Sequence, residues 1–99
     1  MGKFVFIYYA NGIADDGSAA EWGKWFGQLG DKLIDGGNPF GDGGQAVHQG
    51  GVMPVTDQPA TGYTIVKADS MAEATELAKG CPLMKDKAAV VCVYEALPM

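Results

Sequence analysis

Two segments of this chain are apolar on both faces of an extended strand, and that constrains the fold more than any other feature. Lys3-Phe-Val-Phe-Ile-Tyr-Tyr9 and Ala88-Ala-Val-Val-Cys-Val-Tyr-Glu95 are rich in β-branched and aromatic residues and lack polar alternation. Such strands belong in the middle of a sheet and need cover on both sides. A third strand reads at Gly62–Ala68, and a short fourth at 45–49 between glycine-rich turns. Ser18-x-x-Glu21 and Ser70-x-x-Glu73 are capping-box patterns that open two helices, expected over 19–35 and 70–79. In the first helix Trp22, Trp25, Phe26, Leu29 and Leu33 share one face. Gly23, Gly27 and Gly30 form a stripe beside it, at a cost of about 1 kcal/mol each against alanine. Close packing against the helix backbone would explain them.

The element order is β-α-β-β-α-β. It predicts an α+β, ferredoxin-like domain over residues 1–99, with an antiparallel sheet in strand order 4-1-3-2 and both helices on one face. The second sheet face is apolar as well. A second copy of the same sheet is the simplest cover, so the pattern predicts a homodimer with facing sheets.

Charge narrows the function classes. The 99 residues carry a net charge of −5, and all seven basic residues are lysine. Without arginine or a basic stripe, nucleic-acid binding is not expected. No apolar run reaches membrane-spanning length, and no secretory segment is evident. Two cysteines, Cys81 and Cys92, then read as reduced thiols in a cytoplasmic protein. With one histidine and scattered acids, no metal site is expected, and no phosphate-cradling or cofactor motif is present.

Several segments resemble the YCII-related (YciI-like, DGPF-domain) family of the dimeric α+β barrel superfamily. They are Trp22-Gly-Lys-Trp25, Leu29-Gly-Asp31, Gly37-Asn-Pro39, Val55-Thr-Asp57 and, most tellingly, Gly62–Ala74 followed by Gly80-Cys-Pro82. The resemblance implies a barrel-forming homodimer with a small cleft between sheet and helices. In some members it implies a His–Asp acid/base pair. Its histidine position falls near Ala20-Glu21, where this chain has none, and its aspartate near Asp42. Asp57 matches the aspartate of the DGPF signature, but Gln58 replaces the glycine and the phenylalanine is absent. Some members are associated with sigma-factor-type regulation, which leaves a non-enzymatic regulatory or protein-interaction module as the alternative.

The candidate catalytic residues are Asp42 and His48. Asp42 is a turn aspartate or a cleft carboxylate. His48 is a strand residue or a second acid or base. In a ferredoxin-like fold the end of the first strand, the start of the first helix and the start of the second strand share one end of the sheet. That places Asp42 near Tyr8, Tyr9 and Trp22, with Tyr8 or Tyr9 as a hydrogen-bond donor. Trp22, Trp25, Asp57 and Tyr63 complete the expected ligand-binding set, with helix core as the other reading of the tryptophans. The expected ligand is a small aromatic or neutral organic molecule, handled without a cofactor by acid/base chemistry of the isomerase or lyase kind.

Overall fold

The computed structural model describes residues 2–10, 18–55 and 59–99. Strand β1 (Gly2–Tyr9) leads to helix α1 (Ser18–Leu29), a 3-10 turn (Gly30–Lys32) and a short β2 (Leu33–Asp35). Then follow β3 (Gln45–His48), β4 (Gly51–Pro54), β5 (Ala60–Ala68), α2 (Met71–Lys79), a second 3-10 turn (Pro82–Lys85) and β6 (Val90–Ala96). The main sheet runs β2-β5-β1-β6, and all its pairings are antiparallel. The fold is α+β and ferredoxin-like, with β1 central.

Alternation along β1 sorts its side chains. Phe4, Phe6 and Tyr8 are buried under the helices, whereas Val5, Ile7 and Tyr9 are half-buried on the other face. Val66 and Ala68 of β5 join the buried side, and Trp25 and Leu29 reach down from α1. Each large side chain taken from water contributes about 1.5–3 kcal/mol. The open face carries Ile65 opposite Val5, and Cys92 opposite Ile7.

Helix α2 starts as its capping box dictates. The Ser70 hydroxyl accepts from the Glu73 amide at 3.1 Å, and the Glu73 carboxylate accepts from the Asp69 amide at 2.7 Å. The Trp25 indole N–H donates to the Leu77 carbonyl at 3.3 Å, and Lys32 pairs with Glu73 at 2.7 Å, so α2 is tied to both α1 and the turn after it.

Three expectations need correction. The first helix ends at Leu29 rather than near Asp35, because Gly30 adopts a left-handed conformation (φ 56°) that stops α-helical pairing. Leu33 keeps its place against the core by entering the sheet opposite Val66. The second is the strand expected at 45–49. The sheet edge it was to occupy is held by β2 and extended by a bridge from Pro39 to Gly62. Residues 45–48 therefore pair with 51–54 in a separate two-stranded hairpin, joined by Gln49-Gly50. The third is the glycine stripe. Among the described residues, added Cβ atoms at Gly23, Gly27 and Gly30 would meet nothing within 4 Å, so no close packing there requires them.

Candidate functional site

The segment after β2 has one constraint that shapes everything downstream. Gly37 has φ 78°, and a Cβ there would lie 1.6 Å from the Tyr63 carbonyl oxygen. Only glycine lets the backbone press so closely onto β5. The Asp35 carboxylate accepts from the Gly37 amide at 2.8 Å, and the Phe40 amide donates to the Thr61 carbonyl at 2.8 Å. Residues 36–40 are thereby strapped along the outer side of β5. Farther on, the Val55 amide donates to the Gly44 carbonyl at 2.9 Å and closes the base of the hairpin.

Between this strap, the sheet and α1 lies a cavity of about 970 Å³. Its floor includes Tyr8, Gly62 and Thr64, and one wall is Trp22 and Phe26 from α1. Phe40, Asp42 and the glycine-rich loop form the other wall. The aromatic rings support one another. Trp22 stands edge-on to Tyr8 at 5.4 Å and lies 5.9 Å from Phe26, while Phe40 stacks on Tyr63 at 5.7 Å. Apolar walls with few polar groups are the usual make-up of small-molecule sites.

The polar groups of the floor form a directed chain. The Tyr8 hydroxyl donates to Thr64 Oγ1 at 2.6 Å, and Thr64 Oγ1 donates to the Gly36 carbonyl at 3.0 Å. Thr64 is diagonal to Tyr8 across the β1–β5 pair, on the buried face. Burial pushes the Tyr8 phenol well above its ordinary range, against a smaller opposing effect from Thr64. Burial also pushes the Cys81 thiol up to about 11, partly offset by a backbone hydrogen bond at Leu83 and by the Tyr8 hydroxyl. Both groups hold their protons near neutrality, so Cys81 is not a thiolate nucleophile there.

The expected site residues separate into two groups. Tyr8, Trp22, Asp42 and Tyr63 line the cavity together. Asp42 is exposed at its rim, in the loop before β3. Tyr9 does not join them, because alternation turns it to the opposite sheet face. Trp25 lies one helical turn below the cavity wall and is buried in the core. His48 sits exposed on the hairpin, and its Nδ1 accepts from the Gly50 amide at 3.1 Å. The single chain thus does not bring Asp42 and His48 to one cavity. Asp57 lies outside the described residues.

Thr64, Asn38, Phe26 and Phe40 were not among the expected site residues. Thr64 carried a legible signal, a polar residue in phase with Val66 and Ala68 on the buried side of β5. Asn38 donates to the Tyr63 hydroxyl at 3.5 Å from the strap, a placement that depends on the tertiary fold.

No protein-family model matches the chain, and no curated protein matches it. Among solved structures it is similar to 5-chloro-2-hydroxyhydroquinone dehydrochlorinase from Burkholderia phenoliruptrix AC1100, in complex with 2,5-dihydroxybenzoquinone. The TM-score is 0.64 over 96% of this chain and 93% of that one, at 14% sequence identity. At that identity the likeness is one of fold.

Proposed function

We propose that this chain is a YCII-related protein that binds a small, planar, aromatic molecule in the cavity between α1, β5 and the 36–44 strap, and that works as a homodimer. The observation that carries the reading is a large cavity walled by Trp22, Phe26 and Phe40, on which Tyr8, Thr64 and Asp42 converge. The fold shared with a dehydrochlorinase holding a dihydroxybenzoquinone supports a ligand of this size and shape. Asp42 is the group proposed to move a proton without a cofactor, as an isomerase or lyase would require. It is the one carboxylate among the described lining residues. A second copy is the proposed cover for Val5, Ile7, Tyr9, Ile65 and Cys92 on the open sheet face. His48 enters the chemistry only if that copy brings its hairpin to the cavity.

A native mass spectrum gives the assembly and any retained small molecule. Titration with hydroquinone, followed by amide NMR, then reads the site. The expected result is a dimer with shifts at the Trp22 indole, Thr64 and Asp42. A monomer with no shift at these positions would remove the proposal. The alternative, a non-enzymatic regulatory module, is favoured by the lack of a second carboxylate or histidine among the described lining residues. Under it, Asp42→Asn leaves ligand binding intact and there is no turnover to lose.

A further inference from the structure

The hydrogen-bond chain on the cavity floor has a fixed polarity. A backbone carbonyl can only accept, so the contact between Thr64 Oγ1 and the Gly36 oxygen consumes the Thr64 proton. Thr64 Oγ1 must then accept from its other partner, and that partner is the Tyr8 hydroxyl at 2.6 Å. The Tyr8 proton is committed in turn. What remains at the phenolic oxygen is accepting capacity. Among the described residues its other polar neighbour is the Cys81 sulfur, a weak hydrogen-bonding partner that a ligand O–H or N–H outcompetes. Thr64 is fully buried and Tyr8 nearly so, which keeps bulk water from competing for either hydroxyl.

We infer that Tyr8 is a specificity-determining hydrogen-bond acceptor, set by Thr64 and Gly36, and that the cavity selects aromatic rings bearing a donor over rings of the same shape that only accept. The favoured substituent is a phenolic hydroxyl or a ring-attached N–H. An ether or a quinone-type carbonyl at the same position faces a lone pair and is disfavoured. This reverses the donor role that the sequence assigns to Tyr8, and it makes Thr64 a positioning residue. The inference rests on the proposed aromatic-ligand site.

Phenol and anisole form a suitable probe pair, because methylation removes the donor and keeps the ring. Their affinities are measured by NMR titration for the native protein, Thr64→Val and Thr64→Ser. A buried acceptor left facing an ether should favour phenol by about tenfold or more. Thr64→Val keeps the side-chain shape and releases the Tyr8 proton, so anisole gains and the ratio falls towards one. Thr64→Ser retains a hydroxyl that can donate to Gly36, so the preference returns. Equal affinities in the native protein, or a preference unchanged in Thr64→Val, would overturn the inference.

If neither probe shifts the Trp22 indole, the aromatic-ligand reading fails on its own account. The polarity is then decided in the free protein from the Tyr8 hydroxyl proton. A slowly exchanging resonance near the Thr64 methyl, lost in Thr64→Val, upholds the chain. Fast exchange in the native protein refutes it.

Discussion

The two faces of strand β1 have nearly the same hydrophobic content and different fates. Phe4, Phe6 and Tyr8 are sealed under α1 and α2, with Phe6 fully buried. Val5, Ile7 and Tyr9, one residue out of phase, remain half-covered, beside Tyr94 at 57% exposure. The helices explain the first set and cannot explain the second, because both lie on one side. One face therefore holds the fold together, and the other is available for association.

The largest expected contrast comes from truncating each face. Phe6→Ala should cost about 3–5 kcal/mol in urea denaturation, as for a large core side chain lost to a cavity. Ile7→Ala in dilute protein should cost clearly less. Equal costs would mean that the open face is already as well packed as the covered one.

Charge on the open face tests association directly. Val5→Lys should halve the mass seen by sedimentation while the circular dichroism spectrum stays native. A dimer that survives the change uses some other surface.

The cysteines report the two faces chemically. Cys81 is buried, and a thiol pushed up to about 11 holds about a hundredfold less thiolate at pH 8 than an ordinary one. It should react with a disulfide reagent only after unfolding. Cys92, half-buried on the open face, should react in the native protein, and more slowly as concentration rises if a second copy covers it.

The smallest effect is a pH slope. The folded state holds the Cys81 proton more tightly than the unfolded chain does. That stability is complete below the ordinary thiol range and declines as pH rises through it towards about 11. Cys81→Ala should flatten the decline in melting temperature between pH 9 and pH 11. An unchanged slope would leave the Tyr8 phenol as the group responsible.

Where local chemistry decides structure, the sequence was readable. The apolar phase of residues 3–9 and the Ser70–Glu73 box led to β1 and α2 because their causes lie within a few residues. Leu33 misled because its position on a helical stripe also suits a sheet edge, and only the left-handed turn at Gly30 decides between them. The 45–48 strand misled for a different reason: β2 and Pro39 had already taken the edge it needed. Topology led to Tyr8, Trp22 and Asp42 sharing one end of the sheet, and they do line one cavity. Thr64 carried a signal in its phase with Val66 and Ala68, but its partner Gly36, twenty-eight residues away, is set only by the tertiary fold. Alternation alone suffices to separate Tyr9 from Tyr8.

The main sheet ends on one side in β2, three residues long, and on the other in β6, seven residues long. Among the described residues, no strand pairs with the outer side of β6. Its sequence, Val90-Val-Cys-Val-Tyr-Glu-Ala96, carries Glu95 as its single charge. Unpaired amides and carbonyls along such a strand are a template on which another extended chain can add. Ordered aggregation of heated or concentrated protein should therefore begin along β6, and a lysine placed at an outward position of that strand should delay it without touching the cavity.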